Sequence, residues 1–116
     1  NVPNKIIQFL NDQKNQNFNL ITYNDATLYY FTEYKCFSIG KKNMPNEMNE
    51  LLNNYTSIKK SGELSDFLIN KYNIKYLIIN KELTELPENL LCFINRNCDI
   101  IIKEKRFHLF QTAHNF

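Results

Sequence analysis

The chain has very little glycine. Gly40 and Gly62 are its only two in 116 residues, where average usage would give about eight. A G-x-G-x-x-G dinucleotide loop needs three glycines, a Walker A loop needs two at a fixed spacing, and a nucleophile elbow needs two around a serine. Because Gly40 and Gly62 satisfy none of these patterns, the sequence excludes the common phosphate-cradling loops and the serine-hydrolase elbow.

Cysteine is also scarce, and its spacing fits no metal site. Cys36, Cys92 and Cys98 form no C-x-x-C pair. A structural zinc site needs four ligands at short paired spacings, and only His108 and His114 are left to supplement the cysteines. We therefore predict no metal and no cofactor, and we interpret the cysteines as small buried hydrophobic residues. A Cys92–Cys98 disulfide in an oxidising compartment is the alternative.

Two further absences concern charge and long apolar runs. The 14 basic and 12 acidic residues are interspersed, the net charge is +2, and the longest basic cluster, at 103–106, contains Glu104. Nucleic-acid binding favours a basic stripe, so we predict no nucleic-acid partner. No run approaches the roughly 18 apolar residues that span a bilayer, so we predict no membrane span in this segment.

Aromatic residues and asparagine are abundant by contrast. Nine Phe and seven Tyr raise the aromatic content to 14%, within a hydrophobic content of 43%. That is enough apolar surface for one folded core, so we predict a single domain over residues 1–116. The 19 asparagines and 13 isoleucines, against one valine, suggest an AT-rich genome. The chain begins at Asn1 without a methionine, and we expect the domain to be excised from a longer protein.

Hydrophobic periodicity alternates between helix and strand along the chain. We predict helices over 3–10, 26–32, 48–55, 61–72 and 87–94, and strands over 18–23, 34–39, 74–80, 98–103 and 107–112. This alternation predicts a three-layer α/β fold, in which helices flank a mostly parallel sheet. The last two strands are separated by three residues, and they predict a C-terminal antiparallel hairpin at the edge of the sheet.

Residues 74–80 form the clearest strand, Ile-Lys-Tyr-Leu-Ile-Ile-Asn. A continuous apolar run is typical of a strand that is buried on both faces, so we expect it to be a central strand. Ser61 is suited to cap the helix before it. Asn73 stands where the chain turns from that helix into the strand, a position at which glycine is usual. Asparagine also tolerates the left-handed backbone conformation.

The candidate binding site follows from where strands end. Ligands of open α/β sheets bind beyond the carboxyl ends of parallel strands. Tyr23 and Asp25 stand at the end of the first strand, and Asn80 and Lys81 at the end of the third. If these strands are neighbours, Asp25 and Lys81 converge to bind a polar ligand or to assist proton transfer. The alternative is that Asp25 caps a helix and Lys81 is solvated. His108, inside the predicted edge strand, is expected to be half-exposed without a catalytic role.

Five segments carry a resemblance to a known family: Pro3 to Leu10, Asn19 to Tyr23, Leu28 to Thr32, Leu64 to Lys81, and Ile100 to Phe110. Together they resemble the soluble C-terminal domain that follows the transmembrane helices in bacterial GT-C-type membrane glycosyltransferases. Those proteins are similar to the dolichyl-phosphate-mannose:protein mannosyltransferases. The chain departs from the pattern at Asn73, where that family has a glycine.

The resemblance implies a non-catalytic domain on the extracytoplasmic face of a membrane, either periplasmic or at the cell surface. Its role would be to scaffold the enzyme or to recognise the acceptor, since the family's catalytic acids lie between membrane helices. The implied partners are the remainder of its own membrane protein and a glycan or lipid-linked sugar. The alternative is a free-standing module, cytoplasmic in location, for protein interaction or small-ligand binding. A third hypothesis is a small enzyme that uses Asp25 and Lys81.

Overall fold

The computed structural model describes residues 2–13, 19–23, 35–39 and 57–113. Its helical elements are α1 Asn4–Asp12, α2 Ser61–Ser65, a π-helix Asp66–Lys71 that continues α2, a 3-10 turn Leu83–Glu85, and α3 Glu88–Asn97. Its strands are β1 Asn19–Tyr23, β2 Lys35–Ile39, β3 Ile74–Asn80, β4 Cys98–Glu104 and β5 Phe107–Thr112. The helices predicted over 26–32 and 48–55 lie outside the described residues.

The five strands form one mixed sheet in the order β2-β1-β3-β5-β4. β1 is parallel to both β2 and β3, whereas β5 is antiparallel to both β3 and β4. The chain therefore has an α/β fold and the predicted C-terminal hairpin. The predicted predominance of parallel pairing is not confirmed, because β5 rather than β4 joins the parallel strands and makes two of the four interfaces antiparallel.

β3 is the central strand, as its apolar run predicts. It lies between β1 and β5, and Tyr76, Leu77, Ile78 and Ile79 each expose 2% or less of their surface. Successive side chains of a strand point to opposite faces of the sheet. Burial of four consecutive residues therefore means that both faces of β3 are covered.

Different helices cover the two faces. On the α1 face, α1 packs on the sheet through a cluster that comprises Val2, Ile6, Leu10, Leu20, Tyr76, Ile78, Phe107 and Leu109. The α2–α3 face has a larger cluster that comprises Ile21, Leu64, Leu68, Ile74, Leu77, Ile79, Leu86, Leu90, Phe93, Ile94 and Phe110. The rings of Phe9 and Tyr76 meet edge to face on the α1 face, with centroids 5.5 Å apart.

Proline opens two of the helices. Pro3 and Pro87 are the N-cap residues of α1 and α3, with φ of −58° and −54°, so each leads into its helix with the φ that the pyrrolidine ring favours. The prediction that Ser61 caps a helix is wrong, because Lys60 occupies the N-cap position of α2 and makes no side-chain capping bond. Ser61 is instead the first residue of α2.

The turn from the π-helix into β3 confirms the interpretation of Asn73. Its φ is 52°, in the left-handed region where asparagine is tolerated better than most residues. Asn19, the first residue of β1, stabilises this turn through two hydrogen bonds. Its backbone N–H donates to the Asn73 carbonyl at 3.0 Å, and its side-chain amide donates to the Tyr72 carbonyl at 2.6 Å. The π-helix before the turn was not predicted.

β4 is an edge strand that carries an extra residue. Ile100 pairs with Phe110 and Ile102 pairs with Leu109, so Ile101 is inserted as a β-bulge. Bulges and exposed charges discourage edge-to-edge pairing between molecules. The hairpin turn that follows places Lys105 at a φ of 57°, a conformation that costs a residue with a Cβ about 1–2 kcal/mol.

The cysteines correct one expectation. Cys92 is exposed and Cys98 is half-buried, and both thiols are free. Cys92 is therefore not a buried hydrophobic residue, because it lies on the side of α3 opposite the buried Leu90, Phe93 and Ile94. Burial raises the pKa of the Cys98 thiol to about 12, and the neighbouring Asp99 carboxylate adds to that rise. The side chain of Cys36 lies outside the described residues.

Candidate functional site

β1, β2, β3 and β4 all end at the same end of the sheet. This end, formed by the carboxyl termini of the four strands and distinct from the lateral edge strands β2 and β4, is here called the carboxyl edge. β1 and β3 are parallel neighbours, with Tyr23 aligned to Ile79 and to Ile39 of β2. β4 runs in the same direction, because both it and β3 are antiparallel to β5. The condition on which the predicted site depends, that the first and third predicted strands are neighbours, is therefore confirmed.

The structure brings three of the four predicted site residues to this edge. Asn80 is the last residue of β3, Lys81 follows it, and both are half-buried. Tyr23 is the last residue of β1 and is placed by its backbone register alone. Asp25 lies outside the described residues, so the convergence of Asp25 and Lys81 stays a prediction.

Close to this edge, paired residues on β1, β3, β5 and β4 form a row across the sheet. Tyr23 aligns with Ile79, Ile79 pairs with His108, and His108 pairs with Lys103 on β4. Neighbouring strands are about 4.8 Å apart, so the backbone distance from Tyr23 to Lys103 is about 14 Å. Directly paired residues share a face, so His108 and Lys103 both lie on the α2–α3 face.

His108 is the feature of this row that the sequence interpretation missed. It exposes only 6% of its surface, whereas we expected a half-exposed ring. The expectation was wrong because β5 is an inner strand, between β3 and β4. The apolar residues on either side of it, Phe107, Leu109 and Phe110, were the available signal, since apolar residues at consecutive positions are typical of strands covered on both faces.

One nitrogen of His108 is left without a hydrogen bond. Its Nδ1 is enclosed by protein, and no described residue provides a hydrogen-bond partner for it. The imidazole is stacked on the Phe110 ring, with centroids 6.0 Å apart and planes inclined by 12°. A buried polar atom without a partner costs about 1–3 kcal/mol. The protein therefore carries a polar group at this position at the expense of its own stability.

The carboxyl edge is also rich in positive charge. Among the described residues, charged side chains come from the turn after β3 and from the tip of the β4–β5 hairpin: Lys81, Glu82, Glu85, Lys103, Glu104, Lys105 and Arg106. Lys41 and Lys42 follow β2 in the sequence and lie outside the described residues. The His108 imidazole lies on the α2–α3 face, whereas Asn80, paired with Phe107, lies on the α1 face. Each is a group suited to binding an oxygen atom of a ligand.

The described residues contain no group of three or more His, Cys, Asp or Glu side chains that is arranged to hold a metal ion. In the same part of the chain, no helix has both the length and the apolar character needed to cross a bilayer.

Comparison with protein-family models, with curated proteins and with solved structures finds no match for this chain. Its function is therefore inferred from the geometry of the carboxyl edge and from the sequence resemblance.

Proposed function

We propose that the domain is a non-catalytic recognition module that binds a small polar ligand at the carboxyl edge of its sheet. The observation that carries the proposal is His108, whose buried Nδ1 has no hydrogen-bond partner within the described part of the chain. It lies in the row next to the edge, beside a strand that ends in Asn80 and Lys81.

A side chain with only a structural role at this position would need no polar atom. The ring stacks on Phe110 and sits among apolar neighbours on β3 and β5, and a phenylalanine would fill the same space without an unpaired nitrogen. Proteins retain unsatisfied buried polar groups mainly where they serve a function. The imidazole is therefore best explained as a ligand-contacting group.

For the biological setting, we propose the extracytoplasmic domain of a polytopic, GT-C-type glycosyltransferase-like protein. In that setting the domain would scaffold the enzyme or recognise the acceptor, and a glycan or lipid-linked sugar would be the ligand. The resemblance of residues 64–81 supports this setting, and we infer a three-layer arrangement from the helices on both faces. A free-standing ligand-binding module is the second candidate, and the geometry of the carboxyl edge supports it equally.

Sequencing the gene upstream of the codon for Asn1 separates these two settings. The membrane setting predicts several hydrophobic segments of about 20 residues each. An initiator methionine directly before Asn1 would overturn the membrane setting and leave the free-standing module.

Binding itself is tested by recording backbone amide NMR spectra of the ¹⁵N-labelled domain. The titrants are methyl α-mannoside, inorganic phosphate and acetate, at constant ionic strength. We expect at least one of these titrants to give saturable shifts at Ile79, Asn80 and Lys81 and across the β4–β5 hairpin. The His108→Phe variant should fold and lose these shifts. Lys71→Gln, an exposed change at the end of the π-helix, next to the amino end of β3, is the matched control and should keep them. Saturable shifts confined to α1 or to the amino end of β3 would contradict the proposal.

A further inference from the structure

Resting on the proposed function, we propose that the carboxyl edge binds an oxyanion, a carboxylate or phosphate group carried by a small molecule. Lys81 and Lys103 supply the positive charge, and the His108 imidazole supplies a hydrogen bond from inside the sheet.

The topology concentrates positive charge at this edge. Four strands end here, and the described residues between β3 and α3 and at the tip of the β4–β5 hairpin (103–106) include four cations and three carboxylates, namely Lys81, Lys103, Lys105 and Arg106 against Glu82, Glu85 and Glu104. Three of the four cations lie at the tip of the hairpin, which contains only one carboxylate, Glu104. The positive charge is therefore concentrated on the hairpin tip beside His108, which favours an anionic over a neutral ligand.

The register brings one of these cations next to the unpaired imidazole. Lys103 is exposed and pairs directly with His108 across the β4–β5 ladder. Directly opposed residues of an antiparallel pair have Cβ atoms about 4.5–5.5 Å apart and point to the same face. An oxyanion near the start of the Lys103 side chain is therefore within reach of the ring of its cross-strand partner.

The enclosure of Nδ1 adds a specific consequence. This nitrogen has no contact with solvent, so an oxygen atom reaches it only when the side chains that enclose it move. The ring of Phe110, stacked on the imidazole, lies on the same face and will sense that movement. Binding should therefore shift the ring signals of His108 and Phe110 together, whereas simple screening of surface charge should shift neither.

The experiment is an NMR titration of the full chain that follows the His108 and Phe110 ring signals. Inorganic phosphate, acetate and methyl α-mannoside are added separately, with sodium chloride keeping the ionic strength constant. We expect saturable shifts of both rings with phosphate or acetate and none with the sugar. The two anions distinguish a phosphate site from a carboxylate site.

The possible failures are distinguishable. If only the sugar gives saturable shifts at the carboxyl edge, the anion inference is wrong and the proposed function stands. If none of the three probes does, both are wrong. If chloride at the same ionic strength reproduces the anion shifts, they report screening, and the anion inference is overturned.

Charge variants complete the test. Lys81→Gln and Lys103→Gln should each weaken anion binding about threefold or more, since each removes one positive charge near the bound group. Lys71→Gln, at the end of the π-helix that leads into the amino end of β3, removes the same charge at the opposite end of the sheet and should leave the affinity unchanged. An equal loss in all three variants would show non-specific attraction to the net charge and would overturn the inference.

Discussion

At one end of the sheet, where β1 and β3 begin and β5 ends, side chains bond to the backbone. This amino edge holds the Asn19 amide on the Tyr72 carbonyl, and the Thr112 hydroxyl at 3.1 Å from the Ile74 carbonyl and 3.2 Å from that of Lys75. At the carboxyl edge, by contrast, the buried Nδ1 of His108 has no partner among the described residues. The two residues compared, Thr112 at the amino edge and His108 at the carboxyl edge, both belong to β5 and are only four positions apart in the chain.

The difference indicates which part of the molecule maintains the fold and which part is open to function. Polar groups at the amino edge join segments that are distant in sequence, so they add stability and specify the pairing. The polar group of His108 lowers stability by about 1–3 kcal/mol. Sites that recognise ligands often have such a cost, because their polar groups are arranged for a partner outside the protein.

The largest effect on stability is expected from substitutions in β3, the central strand, which runs from the amino edge to the carboxyl edge. Ile78 is fully buried on β3, and an aspartate there would bury an unpaired carboxylate at a cost of several kcal/mol, comparable to the stability of a small domain. Ile78→Asp, and likewise Tyr76→Asp, should therefore prevent folding, as measured by circular dichroism and urea unfolding. Ile100→Asp is the control: Ile100 is 52% exposed on β4 and should tolerate the change. Cooperative unfolding of Ile78→Asp near the wild-type midpoint would show that β3 is not central.

The amino edge is tested by Thr112→Val. The substitution keeps the shape of the side chain and removes the hydroxyl that donates to buried carbonyls of β3. We expect a loss of about 1–3 kcal/mol in the free energy of unfolding, measured in urea. An unchanged midpoint would mean that the amino edge is no better bonded than the carboxyl edge.

At the carboxyl edge, a substitution that removes the polar group should raise the free energy of unfolding, whereas Thr112→Val lowers it. His108→Phe removes the unpaired nitrogen and keeps the stack on Phe110, so we expect a gain of about 1 kcal/mol together with loss of ligand binding. His108→Leu checks that the gain does not depend on an aromatic ring. A loss of more than about 1 kcal/mol in both variants would indicate a structural role for the imidazole.

A smaller gain is expected in the hairpin turn beside the carboxyl edge. Lys105 has a φ of 57°, and glycine adopts this conformation without a steric penalty. Lys105→Gly should raise the unfolding free energy by about 0.5–1 kcal/mol. Arg106→Gly, the adjacent change in the same turn, should give no gain. If both variants behave alike, the left-handed conformation at 105 is not the cause.

The smallest effect concerns thiol reactivity at the amino edge, where Cys98 pairs with Thr112. Because burial raises the Cys98 pKa to about 12, its thiolate fraction stays very low at about pH 8.5 and rises tenfold per pH unit until that pKa. Iodoacetamide should therefore modify exposed Cys92 first, as read by peptide mass spectrometry. Equal rates for Cys92 and Cys98 at about pH 8.5 would show that this edge opens readily.

Local sequence patterns predicted most individual elements. Pro3 and Pro87 lead into helices, the run from Ile74 to Asn80 is the central strand, and Asn73 adopts the left-handed conformation. These features depend on proline geometry, apolar periodicity and asparagine's tolerance of positive φ, which are properties of a few adjacent residues.

What the sequence did not predict depends on contacts between distant residues. Both hairpin strands are apolar, and only packing decides that β5 rather than β4 pairs with β3; the burial of His108 follows from that choice. The π-helix over Asp66–Lys71 likewise depends on how the helix packs, since its residues also fit α-helical periodicity. In the candidate site, Asn80 and Lys81 could be predicted because the end of a strand is a local feature of the sequence. The position of His108 could not, because it depends on the pairing of β5 with β3.

The position of β5 inside the sheet has a consequence for synthesis on the ribosome. β3 is made before β5, and its β5-facing edge stays unpaired until residues 107–112 have emerged and turned back. A nascent chain that stalls before Phe107 would expose the most apolar strand of the domain with one open edge, which is a template for intermolecular pairing. We therefore expect chains truncated before Phe107 to aggregate, and the final strand to act as the step that closes the sheet.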